Sequence, residues 1–390
     1  MLGKKMPTAI LIVILLLTTI STGALAEQQV KNEAVKKELL ETTAESAVLV
    51  AADSGEVLFA KNPDKPLPMA SVTKLMTLLL AVEAVESGKA RLEDKVVASE
   101  KASSMGGSQI FLEPGEQFSF KELLVAVAVG SANDASVALA EQLEGSEEAF
   151  VQKMNERARQ LGCTATNFVN STGLPAEDHH TSAMDLSRIL LACTKHPLFM
   201  QISGIYEYDL RGGDFKLWST NKLLKWYSGV DAGKTGWTNE AKYCLASTCE
   251  RDKLRLISVV MGTPEPKSHF RESIKLYNYG FARYKAVHIE DSGKVVKSLR
   301  VDKGIQENVG LLTSSKVSVV VKKGEEKGYQ GRVETPESVT APVKKGQPMG
   351  SYIVTRDGRE VMRVPLVAQS SVAKRSLVQQ LNRTLRGIIQ

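Results

Sequence analysis

Two β-patterned stretches stand far apart in this chain, and the sequence between them is mainly helix-patterned. Residues 47–60, AVLVAADSGEVLFA, read as a hairpin, two short apolar strands around an Asp53-Ser54-Gly55 turn. Residues 243–247 and 254–261 read as two more apolar strands, flanking the charged turn Glu250-Arg251-Asp252-Lys253. Between them lie an apolar run over 72–85, long enough for a buried helix, and helix-patterned segments over 121–144, 147–162 and 183–195. Strands that open and close a region, with helices inside it, predict an antiparallel sheet made from both ends of one domain. Helices flank that sheet and a helical subdomain is inserted, an α+β fold. The composition shifts near residue 284. Short β-rich runs at 317–321, 339–343, 351–354 and 360–367 are separated by turns such as Lys323-Gly324, Lys345-Gly346 and Asp357-Gly358. They predict a separate small all-β domain over 284–370, with no cluster of His, Cys or paired acids in it.

The two ends have their own character. Lys4 and Lys5 precede an unbroken apolar stretch over 9–17, and Ala24-Leu25-Ala26 places small residues at a cleavage site before Glu27. Residues 1–26 therefore read as a secretory leader, which puts the body outside the cytoplasm. At the other end, residues 371–390 read as an amphipathic helix. At about 100° per residue, Leu377, Val378, Leu381, Leu385, Ile388 and Ile389 fall on an arc roughly 120° wide. Arg375, Arg383 and Arg386 fall opposite it, and the segment holds no acid. An apolar stripe with a purely cationic polar face suits the surface of an anionic membrane. The net charge of +6 resides in these ends, because residues 27–370 carry 44 basic and 44 acidic side chains. A neutral body argues against nucleic acid as a partner.

Three short motifs carry candidate chemistry: Ser71-Val72-Thr73-Lys74 at the start of the first long helix, Ser131-Ala132-Asn133 within the second helical region, and Lys234-Thr235-Gly236 just before the closing strands. In the first, a spacing of three puts hydroxyl and ammonium on one helix face. Singly each motif is weak; in this order, in an exported chain, they gain force. Metal chemistry fares poorly: Cys163, Cys193, Cys244 and Cys249 include no C-x-x-C pair, and no cofactor or metal is expected. Four cysteines in an exported chain allow three disulfide pairings or none, and Cys244 reads as core packing. None of His179, His180, His196, His269 and His288 is needed as a base, since Ser71 lacks a G-x-S-x-G elbow. His179 and His180 read as structural.

The motif set resembles that of class A β-lactamases and penicillin-binding proteins. The resemblance is strongest to the low-molecular-mass penicillin-binding proteins that are serine D-alanyl-D-alanine carboxypeptidases. It extends through Gly107-Ser108-Gln109, Phe111-Leu112-Glu113-Pro114-Gly115, Thr172-Gly173-Leu174-Pro175 with His179 and Thr181, Gly229-Val230-Asp231, Thr238-Asn239-Glu240-Ala241 and Tyr243-Cys244-Leu245, covering residues 40–390. One departure is Ala132, where Gly is more usual in the family; that side chain is neither nucleophile nor base. The resemblance implies a β-lactamase/transpeptidase-like domain over 27–283, followed by the all-β domain and the tail.

It also implies a site. Ser71 is the nucleophile and Lys74 its base, provided burial or a neighbouring cation such as Lys234 keeps the amine neutral. Ser131 relays a proton to the leaving amine, and Asn133 orients either the substrate's peptide or Lys74. Lys234 and Thr235 hold the substrate's terminal carboxylate. Gly236 leaves the strand bare for close approach. The backbone N–H groups of Ser71 and Trp237 form the oxyanion hole. The implied substrates are peptidoglycan stem peptides, with β-lactams as covalent inhibitors. Three alternatives stay open: a β-lactamase of the same fold, a non-catalytic wall scaffold, and an endopeptidase. The first is disfavoured because no E-x-x-x-N pattern follows Asn133, where the only acids are Glu177 and Asp178.

Overall fold

The computed structural model describes residues 40–376. The expected leader over 1–26 lies outside the described residues, as does the expected C-terminal helix from 377 onward. Among the described residues no helix is long and apolar enough to cross a membrane.

The first hairpin forms as its two apolar runs and polar turn demand. Strand β1 (Ser46–Ala51) is buried at every position, and β2 (Val57–Lys61) folds back on it with Leu49 opposite Phe59. Helix α1 (Lys74–Glu86) follows a single 3-10 turn over Ala70–Thr73. It is apolar nearly all round, so it can only be a core helix. Leu75, Met76, Leu78 and Leu79 are all buried, each contributing about 1.5–3 kcal/mol of burial. Helices α2 (Phe120–Val125), α3 (Asn133–Glu144), α4 (Glu147–Gln160) and α5 (Ala183–Cys193) follow, with shorter helical turns between and after them, and α3, α4 and α5 pack against α1. Their ends are written in the sequence. Ser119 and Glu122 cap α2 reciprocally; Ser146 caps α4, which carries Glu147 and Glu148 in its first turn and Arg157 and Arg159 in its last.

Strands β3 (Val230–Thr238), β4 (Lys242–Arg251) and β5 (Leu254–Thr263) close the sheet in the order β2-β1-β5-β4-β3, antiparallel throughout. Val48 of β1 pairs with Val259 of β5, joining the two ends of the domain as expected. Helix α6 (Ser268–Arg283) packs on β4 and β5, so close that a Cβ on Gly280 would meet Leu256 and Leu49. Leu49 faces α6, while its neighbours Val48 and Val50 join the core built by the other helices. Alternate residues of one strand thus face helices on opposite sides.

Two expectations in this domain are corrected. The segment 121–144 is not one helix. A π turn over Ala126–Gly130 ends at Ser131, which is left-handed (φ 62°), and α3 begins afresh at Asn133. A helix cannot pass through a left-handed residue, so Ser131 stands at a break rather than inside a helix. Second, Lys234-Thr235-Gly236 does not precede the closing strands; it lies within one, opposite Ala246, Leu245 and Cys244.

The all-β domain begins at Tyr284. Strands β6 (Tyr284–Glu290), β7 (Val295–Asp302), β8 (Asn308–Thr313), β9 (Val317–Lys322), β10 (Tyr329–Glu334), β11 (Ser338–Thr340), β12 (Pro348–Arg356) and β13 (Arg359–Ala368) make a β6–β9 pair and a six-stranded sheet ordered β10-β12-β13-β8-β7-β11. Four of these strands, β6, β7, β8 and β10, were not expected. Sequences such as VVKSLRVD (β7) bury only Leu299 and Val301, too few apolar positions to show a period. The domain has its own core, including Leu299, Leu311, Val354 and Leu366. It touches the first domain where Lys316 bonds Asp53 (3.3 Å) in the β1–β2 turn and the Lys253 carbonyl. Residues 371–376, placed in the tail by sequence, are extended and belong to this domain. Val372 bridges Val343 and is buried, and Lys374 bridges Gly304. Buried backbone needs those partners, which a helix there would forgo.

Candidate active site

The turn at residues 70–73 places Ser71, the candidate nucleophile. Ala70 is left-handed (φ 48°), which swings Ser71 to the head of α1. Lys74, one turn on, is fully buried. Its Nζ lies 3.1 Å from Ser71 Oγ, 2.6 Å from Asn133 Oδ1 and 2.6 Å from the Thr172 carbonyl oxygen. The last two are acceptors only. A neutral amine has two N–H bonds and one lone pair, so donation to Asn133 and Thr172 leaves the lone pair for the Ser71 hydroxyl. Burial, then the charge of Lys234, pushes the Lys74 pKa well below its ordinary value, against a smaller opposing pull from Asp134.

Asn133 is locked by both ends of its amide. Its Oδ1 accepts from Lys74, and its Nδ2 donates to the Gly106 carbonyl at 2.6 Å. It touches Lys74 and also lines the cleft. Ser131, at the break before α3, is 4% exposed and lines the cleft. Lys234 is also buried, and burial lowers its pKa to about 7. Its Nζ donates to the Thr235 carbonyl (2.9 Å), and it lines neither cavity beside Ser71. Thr235 does line the cleft, and its hydroxyl donates to that of Thr220 at 2.7 Å. A Cβ on Gly236 would lie 2.7 Å from the Met69 carbonyl oxygen and 2.9 Å from Ser71 N. The missing side chain lets β3 close on the nucleophile's own turn.

Two cavities meet at Ser71. One, of about 490 Å³, runs past Gly107, Asn133, Leu174, Trp237 and Glu240. The other, of about 580 Å³, runs past Ser131, Thr220, Thr235 and Trp237. Ser71, Ser108 and Trp237 border both, so they form one continuous cleft. A further cavity of about 310 Å³, between α1 and α4, holds none of the motif residues.

Several residues that shape the site were not singled out from the sequence. Asp134, fully buried, accepts from the N–H groups of Ile110, Leu112 and Ala135, which fixes the loop carrying Ser108. The loop 170–174 delivers the Thr172 carbonyl. Asn170 Oδ1 accepts from Thr172 N and Gly173 N, while the Ser171 carbonyl accepts from Thr77 and Ser136. His179, expected to be structural, stands directly behind the nucleophile turn. Its Nδ1 accepts from Val169 N (2.9 Å), so in the neutral ring Nε2 carries the proton and donates to Thr73 Oγ1 (2.8 Å). Thr73 in turn donates to the Ala70 carbonyl at 2.8 Å. Burial lowers the His179 pKa to about 4, so the relay stays neutral at working pH.

This relay carries a prediction. His179→Leu removes both bonds and is expected to slow penicillin acylation of Ser71 by about 10-fold or more, since small misplacements near reacting atoms are costly. His179→Gln, whose amide can accept from Val169 and donate to Thr73, is expected to recover most of the rate. Equal loss in both variants, measured by stopped-flow acylation, would refute a hydrogen-bonding role.

All four cysteines are buried free thiols, and burial raises the pKa of each.

A serine hydroxyl facing a buried amine whose charge is suppressed, in an open cleft beside a β-strand, is the apparatus of serine acyl transfer with lysine as base. Residues 30–265 match the family described as D-alanyl-D-alanine carboxypeptidase, and residues 284–374 match the C-terminal domain of penicillin-binding protein 5. The chain belongs to the D-alanyl-D-alanine carboxypeptidase family. It is 40% identical over 386 residues to the Bacillus subtilis protein named D-alanyl-D-alanine carboxypeptidase DacF, covering 98% of each chain. Among solved structures it resembles penicillin-binding protein 5 from Haemophilus influenzae, with a TM-score of 0.70 and 32% identity, covering 86% of this chain and 98% of that one. It also resembles penicillin-binding protein D2 from Listeria monocytogenes in its ampicillin-bound form, with a TM-score of 0.57 and 31% identity over 62% of this chain and 99% of that one.

Proposed function

We propose that this protein is a serine carboxypeptidase that removes the terminal D-alanine from peptidoglycan stem peptides ending in D-Ala–D-Ala. The observation that carries this reading is the Lys74 amine, held by two acceptors with its third position on Ser71. Lys74 takes the Ser71 proton as Oγ attacks the carbonyl carbon between the two alanines. The N–H groups of Ser71 and Trp237 receive the developing oxyanion, each such donor contributing about 3–4 kcal/mol to the transition state. Ser131 passes a proton to the departing amine. The Thr235 hydroxyl, which donates to Thr220 in the free site, turns its proton to the substrate and donates to the terminal carboxylate. Lys234 acts from beneath the strand as a buried charge. Water then frees the acyl-enzyme. A β-lactam acylates the same oxygen and leaves slowly.

A β-lactamase would need a carboxylate to activate that water. Glu177 and Asp178 are exposed and line neither arm of the cleft, and Glu240, which borders one arm, is itself exposed to solvent rather than held against the acyl-enzyme, which supports the peptidase over the lactamase. Intact Ser71, Lys74, Ser131 and Lys234 argue against a scaffold. The test is mass spectrometry of residues 27–376 with a stem pentapeptide, beside Ser71→Ala and a penicillin-labelling reaction. Loss of one alanine and a persistent adduct on Ser71 are expected. Rapid penicillin turnover with intact peptide would establish the lactamase instead.

The protein acts on the outer face of the cell membrane, held there peripherally by the segment from 377 to 390. Because residues 371–376 are paired within the β domain, the deletion that tests this starts at 377. Loss of 377–390 is expected to move the protein from the membrane pellet to the supernatant; continued sedimentation would refute the anchor.

A further inference from the structure

The arm of the cleft beyond Thr235 is larger than a departing D-alanine needs. Ser131 and Thr235 bracket the leaving group in the reading above, and this inference rests on that reading. Behind them the cavity, about 580 Å³ in all, continues along Trp226, His269 and Phe270. Its walls are aromatic. The Trp226 ring meets Phe270 edge-on at 5.3 Å and 75°. His269 lies flat against Tyr243, 5.4 Å apart and within 6° of parallel, and its ring is 3.9 Å from that of Phe270. Burial holds the His269 pKa down to about 4, so the imidazole stays neutral and presents an aromatic face rather than a charge. Trp226 keeps 53% of its surface exposed.

The charges in this arm are of one sign. Lys222 and Lys267 line it, and no acidic residue does. The combination suits an amino acid that bears a carboxylate and an aromatic side chain. A methyl group has too little surface to use these rings, whereas an aromatic side chain can pack edge-to-face or offset against several of them.

We infer that the leaving-group arm accepts a terminal D-residue with an aromatic side chain, so that the protein also hydrolyses stem peptides ending in D-alanyl–D-phenylalanine or D-alanyl–D-tryptophan. The peptide carboxylate sits at Thr235 and the scissile carbonyl at Ser71. The side chain then runs along the wall formed by Trp226 and Phe270. The chemistry is unchanged. The C–N bond breaks, Ser71 Oγ forms the ester, and the amine leaves with a proton as the free aromatic D-amino acid. Water then splits the ester and restores the Ser71 hydroxyl.

The test compares purified protein on three pentapeptides that differ only in the last residue: D-alanine, D-phenylalanine and D-tryptophan. Release of the terminal amino acid is followed by mass spectrometry. The expected result is kcat/KM for the aromatic peptides within about threefold of that for D-alanine. In Trp226→Ala and Phe270→Ala the ratio of aromatic to D-alanine kcat/KM is expected to fall about tenfold, through KM. Penicillin labelling of Ser71 in the same preparations checks that each variant is folded, and Trp226→Leu serves if Trp226→Ala is not. D-alanine release with aromatic peptides cut more than 100-fold slower overturns the inference alone, as does a ratio unmoved by both substitutions. Failure to cut any peptide overturns the carboxypeptidase reading, and this inference with it.

Discussion

Lys74→Met is expected to lower penicillin acylation of Ser71 by about 10³- to 10⁴-fold at neutral pH, the size of a lost general base. Methionine fills the buried space but offers no lone pair that can take a proton from oxygen. Lys74→Arg should be as inactive for the opposite reason, because a guanidinium cannot give up its proton in this range. Intact-mass spectrometry against time measures both. The wild-type pH profile follows from the same site. Burial and the charge of Lys234 depress the Lys74 pKa, and only the neutral amine is a base. The rate should therefore fall on acidification as pH passes down through that pKa. Lys234→Met removes the neighbouring positive charge and raises the Lys74 pKa, so the acid limb should move to higher pH. An acid limb that stays in place would show that Lys234 does not act on Lys74 through charge.

Gly173→Ala should damage both fold and reaction. Gly173 is left-handed (φ 86°), and a Cβ there would lie 1.9 Å from the Ala70 carbonyl oxygen, 2.3 Å from its carbon and 2.9 Å from Ser71 N. All three contacts are backbone, so nothing flexible can give way. Overpacking together with an unfavourable φ is expected to cost about 2–4 kcal/mol of stability. The shift forced on the turn should slow acylation by about 10²-fold even in the folded fraction. Gly106→Ala is the control, since a Cβ there meets nothing within 4 Å and its φ is not left-handed. Thermal denaturation and acylation rates measure the pair. Similar behaviour in the two variants would mean that the turn adjusts freely.

The proximity of Ser71 and Lys74 was legible in the sequence because a helical turn imposes its own geometry: residues three apart share a face, so the two had to be neighbours. The β1–β2 hairpin and the closing strands were legible as short apolar runs around polar turns. What escaped was chemistry carried by backbone. The Thr172 carbonyl that holds Lys74 has no side-chain signature, and the loop that delivers it is fixed by Asn170, an ordinary-looking polar residue. The break at Ser131 was hidden in an apolar run, and only Gly130 hinted at it. A Cβ on that glycine would meet Leu217 at 2.9 Å. The β domain was half legible because several of its strands bury only alternate, sparsely apolar positions beside charged ones.

The pairing of Val48 with Val259 has a consequence for the birth of the protein. Ser71 and Lys74 emerge with the first part of the chain, but the strand that bears Lys234, Thr235 and Trp237 follows much later. Until β5 arrives and docks on β1, that strand has no sheet to join and Ser71 has only one wall of its cleft. Long-range pairing of this kind forms late. A chain that stops short of β5 is therefore expected to be chemically silent, with reactivity switching on only when the last strand of the domain closes it.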